Sequence, residues 1–143
     1  MTAADIIAAL SSLVPNASFE ESPSVDFPTI YVPADRLVET CRALRDNDGL
    51  RFTTIIEITA ADYIPRQPRF EVVYHLLSIS RRAHLRLKVR VADGGAVPTV
   101  QSVWKGAGWP EREVWDMFGI VFDNHGDLRR LLMPEDWEGH PAR

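Results

Sequence analysis

His84-Leu85-Arg86-Leu87-Lys88-Val89-Arg90-Val91 is the stretch whose reading decides the fold. Leu85, Leu87, Val89 and Val91 fall on one side, and His84, Arg86, Lys88 and Arg90 on the other. A period of two is that of a β-strand with one face buried and one wetted. Immediately upstream, Phe70 to Ser80 is apolar on both faces (Phe70, Val72, Tyr74 and Leu76 against Val73, Leu77 and Ile79), which predicts a central strand. Before it, Phe52, Thr54, Ile56 and Ile58 alternate with Thr53, Ile55, Glu57 and Thr59, a run rich in β-branched residues. Asp93-Gly94-Gly95 ends the series with a turn. Consecutive strands joined by short turns imply an antiparallel or mixed sheet with helices on one side.

The helices are read outward from this sheet. Thr2 and Asp5 form a capping box, Ile6, Ile7, Leu10, Leu13 and Val14 share a helical face, and Pro15 stops it. Residues 16–28 are polar and proline-spotted, a short strand or loop ahead of a strand at Thr29-Ile30-Tyr31-Val32. A second helix follows Pro33 with Leu37, Val38, Cys41 and Leu44 as its stripe, and Asn47-Asp48-Gly49 predicts a glycine-type C-cap. The fold class expected is α+β: two layers, a mixed or antiparallel β-sheet with helices on one face, and an irregular C-terminal docking tail. Residues 1–120 are read as one domain and 121–143 as a partner-docking segment.

The bulk numbers are those of one ordinary domain. The chain has 143 residues, 45% apolar and 25% charged, with a net charge of −4, long enough for a real core and too acidic to suggest nucleic acid. Its single cysteine, Cys41, cannot form an internal disulfide or supply the thiolates of an iron–sulfur cluster, and suggests a reducing compartment. The sequence from Met1 shows no secretory pattern, and no run approaches the roughly 20 apolar residues of a membrane span. Any membrane association is therefore expected to be indirect, through another chain.

Most residues that could carry chemistry have a plainer structural explanation. Seven arginines or lysines but only one acid, Glu71, lie between Pro65 and Val91. They could dock an acidic partner, but Arg86, Lys88 and Arg90 read better as the solvated side of a strand. His75, His84, His125 and His140 form no metal-binding spacing. His75 is read as a satisfied core imidazole, and His125 and His140 as loop-fixing hydrogen bonders. Gly94-Gly95 and Gly106-Ala107-Gly108 are read as turns, not phosphate cradles. Cys41, on a buried stripe, should have a raised pKa and low reactivity.

The C-terminal third is different. All four tryptophans fall between Trp104 and Trp137, and from Glu111 onward acids outnumber bases eight to four. Trp109-Pro110-Glu111-Arg112-Glu113-Val114-Trp115-Asp116-Met117-Phe118-Gly119 reads as a short helix. Pro110 suits its first position, Glu111 and Glu113 its positive end, and Gly119 its stop, with Arg112 and Asp116 spaced to pair on the surface. Acid–base catalysis by Glu111, Glu113 or His140 is the weaker reading, because no nucleophile or metal motif accompanies them. Residues 121–143 combine Leu131, Leu132, Met133 and Trp137 with arginines and acids in little periodic order, which reads as a tail laid across a partner.

The run Glu111-Arg112-Glu113-Val114-Trp115-Asp116-Met117-Phe118-Gly119-Ile120, followed by Asp127-Leu128-Arg129-Arg130-Leu131-Leu132-Met133-Pro134-Glu135-Asp136-Trp137-Glu138-Gly139-His140-Pro141, resembles the signature of the C-type subunit of NADH–quinone oxidoreductase (respiratory complex I). The resemblance implies a mixed-sheet α+β subunit without catalytic residues in the peripheral arm of the complex, itself an oxidoreductase and translocase. It would lie on the cytoplasmic side of the inner membrane, or the matrix side in a mitochondrion. Its partners would be other complex I subunits, chiefly the D-type large subunit near the quinone site. FMN and iron–sulfur clusters would belong to those partners, and this chain would hold no cofactor or metal. Docking would fall to Trp109, Glu111, Arg112, Glu113, Asp116, Asp127, Arg129, Arg130, Asp136, Trp137 and His140.

The match has departures. Gly126 stands where the family commonly has proline, Trp115 where it has tyrosine, and a basic, proline-containing extension usually follows the position of Arg143. A homologous subunit of a membrane-bound hydrogenase-type complex is the alternative. A free-standing enzyme and a generic adaptor are more distant ones.

Overall fold

In the computed structural model, residues 1–125 are described. They form a five-stranded sheet in the order β1 (Glu20–Glu21), β2 (Thr29–Tyr31), β5 (Ala83–Val91), β4 (Phe70–Ser78), β3 (Thr54–Asp62). All neighbouring pairs are antiparallel except β2 with β5, which is parallel, so the sheet is mixed. Three helices, α1 (Ala3–Leu13), α2 (Leu37–Asp46) and α3 (Gly108–Phe118), complete the α+β fold. Two short strands, β6 (Ala96–Pro98) and β7 (Val121–Asp123), pair in parallel beside the main sheet.

The alternation in the basic strand places the core. Leu85, Leu87 and Val89 of β5 are fully buried, as are Phe70, Val72, Tyr74 and Leu76 of β4. They join Ile6 and Leu10 of α1, Leu37, Cys41 and Leu44 of α2, and Val114 of α3 in one apolar cluster. All three helices therefore pack on a single face of the sheet. Each large aliphatic or aromatic side chain buried there contributes roughly 1.5–3 kcal/mol.

Local signals explain most element ends. The Thr2 hydroxyl accepts the Asp5 N–H at 3.1 Å while the Asp5 carboxylate accepts the Thr2 N–H at 3.0 Å, closing the capping box. Gly119 ends α3 in the left-handed region at φ 77°, its N–H donating to the Trp115 carbonyl. Of the expected α1 face, Leu13 is exposed, whereas Ile6, Leu10 and Val14 are buried.

Several expectations are corrected. The α2 C-cap is not a glycine: Asn47 caps in extended conformation, and Arg51 takes the positive φ of 53°. The Asn47 side chain instead accepts the Gly49 N–H, and the Asn47 carbonyl accepts the Leu50 and Arg51 N–H groups. The expected alternation in β3 is broken by a bulge between Ile55 and Glu57, which leaves Ile56 exposed while Ile55 and Ile58 face the core. Ile79 lies beyond the end of β4, exposed in the turn. Gly106 and Gly108 are not a loop turn, because a 3-10 turn at Lys105–Ala107 runs straight into α3. Pro110 consequently occupies the third helical position rather than the first. Beyond residue 120, Phe122 is buried in the core and β7 pairs with β6.

Candidate functional site

The N-terminal half of α3 carries most of the described residues expected to dock. Gly108 opens the helix against the Gln101 side chain, whose amide nitrogen would have to move aside for a Cβ, which would stand 2.5 Å from it. One turn on, the Glu111 side chain points inward and is completely buried. Its carboxylate accepts the Thr99 hydroxyl and, at 3.0 Å, the Val100 N–H. His125, just after β7, lies with Nε2 2.8 Å from the Gly108 carbonyl oxygen and 3.7 Å from Glu111 Oε1. A carbonyl only accepts, so that ring nitrogen carries the proton.

Burial raises the Glu111 carboxyl above its ordinary pKa, against the opposing pull of the Thr99 and Val100 hydrogen bonds and of His125. Burial likewise raises the thiol of Cys41, to which the charge of Glu111 adds. Glu111 is thus a buttress that ties α3 to the loop after β6. With His125 it also ties the chain beyond β7 to the start of the same helix.

The outward side of this half-helix presents Trp109, Arg112 and Glu113. Trp109 is 58% exposed, its indole N–H donates to Glu113 Oε1 at 2.8 Å, and the Arg112 guanidinium sits over its ring at 5.0 Å. A shallow cavity of about 170 Å³ lies beside it, lined by Ile58, Thr59 and Ala60 of β3 and by Glu113, Val114, Met117 and Phe118 of α3.

Of the residues expected at a partner surface, the fold therefore brings Trp109, Arg112 and Glu113 together outside and turns Glu111 and Asp116 inside. Asp116 is fully buried, so the expected surface pair with Arg112 is not formed at the surface. Asp127, Arg129, Arg130, Asp136, Trp137 and His140 lie outside the described residues.

The outer sheet face is more structured than the sequence suggested. Glu71 is buried to 1% exposure, accepting the Tyr31 hydroxyl at 2.7 Å and Arg66 at 2.8 Å, with the Lys88 ammonium at 3.8 Å. Burial alone would raise its pKa; the Tyr31 and Arg66 hydrogen bonds outweigh that and lower it. Arg69 bridges Asp62 and Asp93, Arg86 pairs with Asp26, and Arg90 pairs with Glu20. Five of the seven basic residues between Pro65 and Val91 are thus matched by acids, which removes the free basic patch. His75 is also not in the core: it stands half-buried on this outer face, its Nε2 2.9 Å from His84 Nδ1.

Sequence reasoning missed the burial of Glu71 and the His75–His84 contact. The available signal was strand parity, since residues 71, 73 and 75 share a face. Which groups they meet depends on inter-strand register.

A protein-family model described as the respiratory-chain NADH dehydrogenase 30 kDa subunit matches residues 30–143. The chain belongs to that family. The 30 kDa subunit match begins at β2 and runs through the sheet, α3 and the tail. The C-type subunit of the NADH-quinone oxidoreductase of Roseiflexus sp. (strain RS-1) is 43% identical over 141 residues, covering 98% of this chain and 81% of that protein. Its namesake in Geobacter sulfurreducens (strain ATCC 51573 / DSM 12127 / PCA) is 46% identical over 117 residues, covering 80% and 71%.

Among solved structures, a chain of the membrane-bound sulfane sulfur reductase, an archaeal respiratory membrane complex, superposes with a TM-score of 0.75. It is 26% identical, over 93% of this chain and 77% of the other. Among the described residues, this family member has no helix long and apolar enough to cross a membrane and no group of three or more His, Cys, Asp or Glu placed to hold a metal ion.

Proposed function

We propose that this chain is a non-catalytic structural subunit in the peripheral arm of a proton-translocating NADH:quinone oxidoreductase, packed against the D-type large subunit near the quinone site. The observation that carries the reading is the 43% identity over nearly the whole chain to a protein named as the C-type subunit of such an enzyme. FMN and iron–sulfur clusters are assigned to neighbouring subunits. The single cysteine supports this, being buried with its thiol pKa raised chiefly by that burial. The membrane is reached through the complex, on its cytoplasmic or matrix side. Trp109, with Arg112 and Glu113 held against it, is the exposed aromatic anchor that a docking helix needs.

A second reading, membership of a membrane-bound hydrogenase-type complex, is favoured by one observation: the same fold occurs in an archaeal respiratory complex of different named activity. The test is to tag the chain at its N-terminus in its host, extract gently, and run a native gel with NADH-dehydrogenase staining and mass spectrometry. Co-migration with NADH activity and a D-type large subunit is expected. A band with hydrogenase-type subunits would transfer the chain to the second reading, and a lone band would overturn both.

A further inference from the structure

The outer sheet face brings two imidazoles together without an obvious need of the fold. His75 stands on β4, flanked in register by Glu57 of β3 and Arg86 of β5. His84 lies one step diagonally away on β5, opposite Leu77. The rings are 5.1 Å apart between centroids and inclined at 43°, with His75 Nε2 and His84 Nδ1 separated by 2.9 Å. Phe27, from the segment joining β1 to β2, covers both, stacked on His84 at 4.4 Å and 5.1 Å from His75. The charged groups facing the pair are Glu57, Asp26 and Arg86, and Arg86 is tied to Asp26 at 2.9 Å, which neutralises the cation locally.

We propose that His75 and His84 form a two-imidazole chelate for a divalent first-row transition-metal ion of the copper(II) or nickel(II) class. Imidazole nitrogens bind such ions at about 2.0–2.1 Å. Two nitrogens 2.9 Å apart, each at that distance from one ion, subtend an angle of about 90°. Tetragonal copper(II) and nickel(II) take cis ligands at that angle, whereas tetrahedral zinc(II) wants the nitrogens farther apart. The remaining coordination positions would be filled by water, and the Glu57 carboxylate contributes negative charge from the strand beside His75.

No proton need be lost when the pair starts neutral. The ring that holds the shared proton at the contact passes it, through solvent, to its other nitrogen, leaving both facing lone pairs for the ion. Protonation of either ring would weaken binding, since the ligand form of histidine is the neutral one.

The test uses the full chain, free of any histidine tag, titrated with copper(II), nickel(II) or zinc(II) by calorimetry. One equivalent is expected to bind, with copper(II) and nickel(II) tighter than zinc(II). His75→Asn and His84→Asn should each weaken nickel binding on the order of tenfold or more. A second readout needs no variant: copper(II) should broaden the NMR signals of Val73–Leu77 and Ala83–Arg86 first. Variants that bind as the parent does, broadening centred on Met1, His125 or His140, or zinc(II) binding tighter than nickel(II) would each overturn the assignment.

Discussion

The Glu111 carboxylate, sealed from solvent, accepts the backbone N–H of Val100 at 3.0 Å. An acid at the start of a helix ordinarily faces water and complements the helix dipole. Here it reaches across to the loop after β6, and its burial raises its pKa. The folded chain consequently holds the Glu111 proton more tightly than the unfolded chain. The stability this contributes is complete below the unfolded carboxyl pKa and is lost as pH rises through the higher folded value. Glu111→Gln removes that titration. The stability of the parent minus that of Glu111→Gln should therefore fall as pH rises from about 4 toward neutrality, measured by urea unfolding across the range. A difference that stays flat would show that Glu111 does not titrate between the two states.

Glu71 should behave in the opposite sense. Its folded pKa is lowered: burial would raise it, but the hydrogen bonds from Tyr31 and Arg66 and the Lys88 charge more than offset that. Its contribution is present above the unfolded carboxyl pKa and fades as pH falls through the folded one. Glu71→Ala leaves the Tyr31 hydroxyl without its acceptor and should cost about 2 kcal/mol at neutral pH, and Tyr31→Phe about 1 kcal/mol. Denaturant melts at neutral and acid pH check both, and equal effects at the two pH values would contradict the ion-pair role.

Two tryptophans five residues apart should part company. Trp104 is 5% exposed and donates its indole N–H to the Phe52 carbonyl at 3.1 Å, whereas Trp109 is 58% exposed. Trp104→Ala should destabilise the isolated chain by about 3–5 kcal/mol. Trp109→Ala should change stability by no more than about 0.5 kcal/mol while lowering recovery of the assembled complex, as an interface anchor would. Thermal melts of the isolated chain and quantitative native gels separate the two effects. Normal assembly of Trp109→Ala would remove that residue from the docking surface.

Gly119 provides a purely conformational check. Its φ of 77° is comfortable only without a Cβ, so Gly119→Ala should cost roughly 1–2 kcal/mol. Chemical denaturation measures it. No loss would mean that α3 can end by another route.

Much of this architecture was legible because it rests on short-range chemistry. The alternation of Leu85 to Val91, the Thr2–Asp5 capping box and the Gly119 stop each depend on residues within a few positions of one another. The burial of Cys41, which pushes its thiol pKa up, followed in the same way from its helical stripe. The signature from Glu111 to Pro141 was legible as a resemblance, and the family match over residues 30–143 agrees with it.

What the sequence could not decide depends on register and on contacts between distant segments. The parallel docking of β2 against β5 brings Tyr31 to Glu71, 40 positions away, and Asp26 to Arg86, 60 positions away, converting an apparent basic stripe into matched pairs. One extra residue at Ile56 shifts the phase of β3, because the two-residue period of a strand moves every later side chain to the other face. Glu111 and Glu113 differ in the same way. Both lie in the first turns of α3, yet rotation about the helix axis sends one to Val100 in the interior and the other to Trp109 at the surface. Helical spacing sets that rotation, but only the packed neighbours determine which side is inside.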